Sequence, residues 1–285
     1  MLSHNSVAFA IALGAALCGS AAAQGDPRKG EYLAKAAGCV GCHTAELAGS
    51  ARFAGGRPLL TPFGTFFGPN ITPDRETGIG AWSESDFQRA IRLGERPDGA
   101  HYFPAFPYPS FTRMSDADIH DLWAYLRTVA PVRNPVAPHV LRFPFGFRPL
   151  VAVWKWLFFT PGPFAADPKL SPALNRGAYL ATALAHCAEC HTPRNFMGGL
   201  KADRMLAGGE VADGKTPNLT PTRLKKWNDT ELREFLRSGA TPEGDVPSDT
   251  MYEVIRNTTS QLTPEDVTAL IAYLRSLPPL PEEKK

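Results

Sequence analysis

Several features are scarce in this sequence, and each scarcity excludes a class of protein. The 285 residues carry 30 Lys and Arg against 28 Asp and Glu, for a net charge of +2. That balance offers no basic excess for binding nucleic acid. The two longest apolar runs, at 7–17 and 150–159, fall short of the roughly 20 residues that a transmembrane helix needs. Cysteine is also scarce, with five in the whole chain.

The N-terminus is typical of a secretory signal peptide. The apolar run at 7–17 precedes three alanines at 21–23, which form a small-residue cleavage site before Gln24. Residues 1–6 lack the Lys or Arg that a signal peptide usually has there. Cys18 follows the bulky Leu17, whereas a lipoprotein anchor has a small residue at that position. We therefore predict a signal peptide at residues 1–23 and a mature protein exported to the periplasm.

Removal of that segment leaves four cysteines, which form two copies of one motif. Residues 39–43 read Cys-Val-Gly-Cys-His, and residues 187–191 read Cys-Ala-Glu-Cys-His. Two cysteines three apart with a His directly after the second are the signature of c-type haem attachment. Each thiol adds to one vinyl group of the porphyrin, and one helical turn matches the spacing of the vinyls. The sequence therefore predicts two covalently bound c haems, with no cysteine left for a disulfide. The predicted attachment residues are Cys39, Cys42, Cys187 and Cys190.

Two other uses of a Cys-x-x-Cys pair compete with this interpretation. A redox dithiol has the same spacing, and so does half of a zinc site, including one zinc shared by all four thiolates. Neither needs a His directly after the second Cys, yet both copies have one, His43 and His191. These histidines are predicted to be the proximal iron ligands. The second ring nitrogen of each histidine should donate a hydrogen bond to a carbonyl oxygen, which fixes the tautomer.

The surroundings of the two motifs repeat as well. Tyr-Leu precedes the first Cys by seven residues in one copy, at Tyr32, and by eight in the other, at Tyr179. Pro-Asn-Ile-Thr-Pro at 69–73 recurs as Pro-Asn-Leu-Thr-Pro at 217–221. The chain is therefore a duplicated unit.

Each unit is predicted to contain three helices. The first helix of the first unit has Asp26 as N-cap and Pro27 at its first position. The middle helices start after a Trp and end at a Gly twelve residues later, and the last helices start with variants of the capping box. The residues that define these helices are Trp82, Ser83 and Gly94; Trp227, Asn228 and Gly239; Ser115 with Asp118; and Thr263 with Asp266.

An N-terminal helix crossing a C-terminal helix beside a haem is the class I cytochrome c fold. We predict an all-α chain with two such domains, at 24–131 and 175–280, and a charged tail at 281–285. Nine prolines fall between Pro131 and Pro172, so the connector at 132–174 should be extended and stiff. Its apolar stretch from Val151 to Phe159 is open to two interpretations. In the first, the stretch is a short helix packed across both domains. In the second, it is an exposed apolar patch for a partner or a membrane surface.

The sixth iron ligands are predicted from the few methionines. A thioether raises the potential of a His-ligated haem, and the predicted mature chain has only Met114, Met197, Met205 and Met251. Met251 lies 60 residues after His191, in a predicted loop before the last helix, and is the predicted sixth ligand of the second haem.

The first unit has Phe103 where Met251 would align, so its sixth ligand is less direct. Met114, 71 residues after His43, is the prediction, with His101 and an open iron as alternatives. A competing interpretation is that Met114 packs on Ile119 as the apolar staple before an N-cap. The other histidines, His120, His139 and His186, are interpreted as ordinary residues.

With these residues placed, the chain resembles dihaem class I cytochromes c related to the cytochrome c subunits of membrane-bound alcohol and sugar dehydrogenases. The resemblance rests on both haem motifs and on the stretches at 70–74, 78–82, 102–108, 190–195 and 251–254. It implies a protein that takes electrons from a catalytic dehydrogenase subunit and passes them to quinone or another cytochrome. There are two departures: this chain has two haem motifs where those subunits have three domains, and Phe106 replaces a Met of theirs.

The predicted function is therefore a periplasmic dihaem electron carrier. It would relay electrons from a dehydrogenase toward a cytochrome, oxidase or quinone of the respiratory chain. The alternative is a dihaem enzyme, such as a peroxidase that uses an open haem in the first domain. A thiosulfate-oxidising cytochrome is disfavoured, because that type uses a Cys ligand to iron and no cysteine is spare.

Overall fold

The computed structural model describes residues 25–212 and 214–282. The predicted signal peptide and the end of the predicted charged tail lie outside the described residues. In the first half, α1 (Pro27–Ala36), α2 (Cys39–His43), α3 (Glu84–Leu93), α4 (Tyr108–Phe111) and α5 (Asp116–Leu126) precede α6 (Pro149–Phe158). The second half contains α7 (Pro172–Tyr179), α8 (Ala188–His191), α9 (Pro221–Leu224), α10 (Asp229–Ser238), α11 (Asp249–Asn257) and α12 (Pro264–Ser276).

Short strands correct the prediction of an all-α fold. An antiparallel hairpin of β1 (Pro58–Thr61) and β2 (Gly64–Phe67) is extended by β3 (Val140–Leu141), and a second hairpin joins β4 (Gly209–Val211) to β5 (Gly214–Thr216). Each strand has two to four residues, which is too short for a period of two to stand out in the sequence. Each hairpin follows an attachment motif, so the two halves are also repeated in their strands.

The first and last helices of each half cross at very short range. A Cβ on Gly30 of α1 would lie 2.0 Å from the carbonyl oxygen of Asp121 in α5. A Cβ on Gly177 of α7 would lie 2.1 Å from the carbonyl oxygen of Ala269 in α12. Only glycine permits this approach. The crossing of N-terminal and C-terminal helices was predicted, and both halves contain it.

The ends of the middle helices follow the sequence signals. Ser83 and Asn228 form capping boxes at the N-termini of α3 and α10. Gly94 and Gly239 end these helices in the left-handed conformation, with φ of 59° and 83°. The predicted bounds of both helices are confirmed.

A π-helical turn at Leu180–Leu184 explains the unequal spacing before the two motifs. It continues α7, whereas α1 ends without one. A π turn takes one more residue per hydrogen-bonded loop than an α turn. The extra residue between Tyr179 and Cys187 is therefore absorbed in the helix.

Two tyrosines tie the halves together in a reciprocal way. Tyr32 donates to a carboxylate oxygen of Asp266 and accepts from the N–H of Thr263 at 3.4 Å. Tyr179 donates to Asp118 and accepts from the N–H of Ser115 at 3.2 Å. The predicted capping boxes are thus only half right. Ser115 and Thr263 do cap the last helices. The second bond of each box, from the N-cap N–H to the carboxylate, is replaced by a tyrosine hydroxyl of the other half, which accepts from the N–H and donates to the carboxylate.

The connector helix α6 has one packed and one exposed face. Val151 is buried with Phe66 and Phe103, and Nε1 of Trp154 donates to the carbonyl of Met197 in the second half at 3.0 Å. On the opposite face Trp156 is 83% exposed. The helix therefore packs on both halves and still presents apolar surface. Among the described residues, none of the helices combines the length and the apolar character needed to cross a bilayer.

Candidate haem sites

The predicted attachment residues lie on short helices that the hairpins cover closely. Cys39, Cys42 and His43 share the single turn of α2, while Cys187 directly precedes α8 and Cys190 and His191 end it. A Cβ on Gly68, next to β2, would lie 1.8 Å from the carbonyl oxygen of Cys42. In the second half Thr216 takes the place of Gly68, since it directly precedes Pro217. Its hydroxyl donates to the carbonyl oxygen of Cys190 at 2.6 Å, and a Cβ on Gly209 of β4 would lie 2.5 Å from the same oxygen. A hairpin therefore lies against the second cysteine of each motif, through different residues in the two halves.

Both predicted proximal histidines are oriented by a proline carbonyl. Nδ1 of His43 lies 2.8 Å from the carbonyl oxygen of Pro69, and Nδ1 of His191 lies 2.8 Å from that of Pro217. Burial lowers the pKa of both imidazoles, although the hydrogen bond to the carbonyl acts in the opposite direction. A neutral ring that donates from Nδ1 has its lone pair on Nε2. Each ring therefore offers Nε2 as a metal ligand.

The repeated Pro-Asn-x-Thr-Pro stretch holds these two carbonyls in place. The side-chain oxygen of Asn70 accepts from the N–H and hydroxyl of Thr72, at 3.0 and 2.8 Å. Asn218 accepts from Thr220 in the same way, at 2.8 and 2.6 Å. All four residues are buried. The sequence revealed the repeat, and the structure shows that it builds the turn that carries the acceptor for the histidine.

The thiols do not fit the competing uses of a Cys-x-x-Cys pair. Burial raises the pKa of Cys39 and of Cys187 to about 12 in each case. A redox dithiol needs a thiolate at neutral pH, which a low pKa favours. The four cysteines that the structure describes form no disulfide, and the described residues contain no group of three or more His, Cys, Asp or Glu suited to a metal ion. Two thiols beside an imidazole that has its lone pair on Nε2 do fit a c haem.

Met251 and Met114, the predicted sixth ligands, lie in different settings. Met251 is the third residue of α11, not part of a loop, and its N–H is bonded to the hydroxyl of Ser248 at 3.4 Å. Met114 lies between α4 and α5 and is fully buried, in the same apolar core as Ile119. That burial suits an iron ligand and also suits the apolar staple, so both interpretations of Met114 stand.

The alternative ligand His101 belongs to a polar cluster at the end of α3. Its Nδ1 lies 3.0 Å from the ammonium of Lys155 and 3.8 Å from a carboxylate oxygen of Glu95. Burial and the charge of Lys155 lower the pKa of His101, against the effect of Glu95. This placement gives His101 a partner that the sequence did not indicate.

Each half covers the attachment motif of the other with the segment that precedes its last helix. In the first half, the hydroxyl of Ser110 in α4 donates to Glu189 in α8 at 2.6 Å. In the second half, Glu253 of α11 lies 2.5 Å from the guanidinium of Arg57, beside the first motif. Sequence analysis missed these contacts because they join residues 79 and 196 positions apart. The two candidate haem sites therefore adjoin at one interface between the halves.

Comparison with known proteins agrees with this duplication. The family model of cytochrome c matches residues 27–130 and again residues 174–278. The chain belongs to the cytochrome c family. It has two cytochrome c domains, and membership implies covalently bound haem c.

Three relatives place the chain within the family. It is 42% identical over 259 residues to "Diheme cytochrome c-type" of Cereibacter sphaeroides, with 89% of this chain and 86% of that protein covered. It is 38% identical over 255 residues to the fructose dehydrogenase cytochrome subunit of Gluconobacter japonicus, covering 88% of this chain and 52% of the relative. It is 36% identical over 300 residues to the alcohol dehydrogenase (quinone) cytochrome c subunit of Gluconacetobacter polyoxogenes, covering 99% and 63%.

These relatives confirm the predicted resemblance to cytochrome c subunits of dehydrogenases. The chain spans most of the dihaem relative but only about half to two thirds of the two dehydrogenase subunits. The peroxidase alternative finds no support among them.

Proposed function

We propose that this chain is a periplasmic dihaem cytochrome c that relays single electrons from a dehydrogenase partner to an acceptor of the respiratory chain. The observation that carries the proposal is the repeated proximal geometry. Two Cys-x-x-Cys-His turns each have a buried or half-buried imidazole fixed by a proline carbonyl, and the two turns adjoin at one interface. The acceptor is a cytochrome, an oxidase or a quinone.

Haem c, when bound, supplies an iron that takes up and releases one electron. In the proposal, Cys39 and Cys42 attach the first haem and Cys187 and Cys190 the second. The carbonyls of Pro69 and Pro217 hold the proximal rings and make Nε2 a better donor. Met251 and Met114 would be the sixth ligands, with His101 as the alternative in the first domain. A thioether ligand would raise the potential, and a sixth ligand from the protein would leave no open position for a substrate.

The partner proposal rests on the names of the relatives. Two of them are cytochrome subunits of a fructose dehydrogenase and of a quinone alcohol dehydrogenase. By analogy, this chain receives its electrons from the catalytic subunit of an oxidoreductase. Proximity of the two haem sites suits that role, because an electron that enters at one can leave at the other.

A peripheral membrane contact through Val151 to Phe159 is part of the proposal. Trp156 on α6 is 83% exposed, and Phe143, in the preceding loop, is 96% exposed. No Asp or Glu occurs between Asp121 and Asp167. Exposed aromatic side chains on a segment that has no acidic residue of its own suit the headgroup region of an anionic bilayer. Co-sedimentation with anionic vesicles should fall in Trp156→Ser, while unchanged binding would contradict the contact.

The electron-carrier proposal is tested by adding reduced holoprotein to an excess of an oxidised acceptor cytochrome c, and separately to hydrogen peroxide. We expect fast oxidation by the cytochrome, with two electrons delivered per chain. Peroxide should be consumed no faster than in the buffer control. Catalytic turnover of peroxide would contradict the proposal and favour the peroxidase.

A further inference from the structure

One side chain joins the two attachment motifs. His186 stands immediately before Cys187, and its Nε2 lies 3.3 Å from the carbonyl oxygen of Ala37, two residues before Cys39. A carbonyl oxygen only accepts, so Nε2 is the donor. The contact therefore links the polypeptide at one pair of thiols to the polypeptide at the other.

The surroundings of His186 fix the ring. Ala37 is the C-cap of α1, where the helix leaves its last carbonyls without partners in the helix. The ring of Phe111 in α4 meets the imidazole edge to face, with centroids 5.3 Å apart and an interplanar angle of 80°. Burial lowers the pKa of His186, against the effects of Glu189 and of the bond to Ala37, and so favours the neutral ring. One N–H then remains, and it is used by Ala37.

The backbone at this position favours glycine, and the first half has glycine there. Gly38, which directly precedes Cys39, has a φ of 64°, and His186 has a φ of 40°. A Cβ on Gly38 would lie 2.5 Å from the hydroxyl of Thr258, so that half has no room for a side chain. A left-handed conformation is strained for an L-residue other than glycine. His186 in the second half adopts this strained conformation, and its side chain thereby contacts the residue two positions before the first motif.

We propose that His186 couples the two haems, as a positioning residue that completes a path from Cys187 through His186 to Ala37, Gly38 and Cys39. The proposal rests on the proposed function, because it requires both haems. The step moves one electron from the ferrous iron of one haem to the ferric iron of the other, and no bond forms or breaks. A path of covalent and hydrogen bonds couples two redox centres better than a jump through empty space.

Two substitutions of similar polarity distinguish loss of the hydrogen bond to Ala37 from a general disturbance of the fold. His186→Gln places an amide N–H at about the reach of Nε2, whereas His186→Asn tolerates the left-handed backbone but is one methylene too short. Intramolecular electron exchange is measured in the half-reduced holoprotein by exchange NMR of the haem methyl signals, which report each haem separately. We expect native exchange in His186→Gln and a severalfold slower rate in His186→Asn, with both midpoint potentials and the melting temperature unchanged. His120→Gln, at a half-buried ring of α5 that contacts Glu84 and lies outside the proposed path, is the control for replacing a histidine.

A native exchange rate in His186→Asn would overturn the proposal. So would a slow rate in His186→Gln with native potentials, because the N–H bridge would then be present without effect. These results are distinct from failure of the proposed function. If neither haem took up an electron from the titrant, the electron carrier itself would be refuted; if both did and the variants behaved alike, only the bridge would be.

Discussion

The two domains share their proximal side and differ on the side where a sixth ligand belongs. Nδ1 of His43 and Nδ1 of His191 each lie 2.8 Å from a proline carbonyl oxygen, and each proline directly precedes an Asn-x-Thr turn of the same kind. For the sixth ligand, the sequence predicts Met251 in the second domain, whereas the first domain has no methionine at the same spacing and its candidate ligand Met114 lies in the core. A duplicated chain can thus keep the part that attaches a haem and vary the part that tunes it. We expect two haems of unequal potential, which gives electron flow a direction.

Removal of one pair of attachment thiols should have the largest effect. Cys39→Ser with Cys42→Ser should leave one haem per chain, and Cys187→Ser with Cys190→Ser should leave the other. Haem content follows from the pyridine haemochrome spectrum and from the mass of the intact chain. The apolar core is continuous between the halves, so both variants should also melt at a lower temperature. Two haems in either variant would contradict the assignment of the thiols.

Replacement of the candidate sixth ligands should distinguish the two domains. The weak far-red sulfur-to-iron band of the oxidised protein, measured per chain, should fall from two equivalents to one in Met251→Ala. Met114→Ala should remove the other equivalent. Met197→Ala, at a side chain that is 40% exposed, is the control and should keep both.

The outcome for Met114 has a clear alternative. If Met114→Ala keeps two equivalents, another methionine is the ligand. If the wild type has one equivalent and Met114→Ala keeps it, Met114 is the staple on Ile119. The first iron is then bound by His101 or is open, and the second domain alone has a His/Met haem.

The tyrosines between the halves should contribute unequally. Asp266 also receives two bonds from Arg176, at 2.8 and 2.6 Å, whereas Asp118 depends on Tyr179. A hydrogen bond to a charged group contributes about 1.5–3 kcal/mol. Tyr179→Phe should therefore lower the free energy of unfolding by an amount in that range, and Tyr32→Phe by less. Denaturant titration of the holoprotein measures both; a larger loss in Tyr32→Phe would contradict the account.

The glycines at the helix crossings should behave alike in both domains. Gly30→Ala and Gly177→Ala each place a methyl group about 2 Å from a carbonyl oxygen. Overpacking of this kind costs about 1–3 kcal/mol, which exceeds the gain in helix propensity. Gly146→Ala, whose nearest neighbour would be Leu141 at 3.8 Å, is the control. Loss of stability in only one of the two variants would show that the crossings are not equivalent.

The sequence predicted those features that depend on residues close in the chain. The two Cys-x-x-Cys-His turns, the caps at Ser83 and Asn228 and the glycine ends of α3 and α10 are all local signals. The helix crossing was predicted because the fold resembles a known family. The short strands were missed because two to four residues show no period.

The contacts between the halves could not be predicted from local signals. The spacing of Ser115 and Asp118 predicts a capping box, but the hydroxyl of Tyr179 in the other half donates to the Asp118 carboxylate and accepts from the N–H of Ser115. His186 was interpreted as an ordinary residue, because the position before a Cys-x-x-Cys-His turn indicates no partner. Its contact with Ala37 spans 149 positions and follows only from the packing of the two domains.

The central claim is that both haems only carry electrons, and one titration tests it most directly. The holoprotein is reduced anaerobically with a counted titrant and then exposed to carbon monoxide. Uptake of two electrons per chain, and a reduced spectrum that carbon monoxide leaves unchanged, is the result that two fully ligated haems predict. Uptake of one electron, or a spectral shift at one haem on adding carbon monoxide, would contradict it.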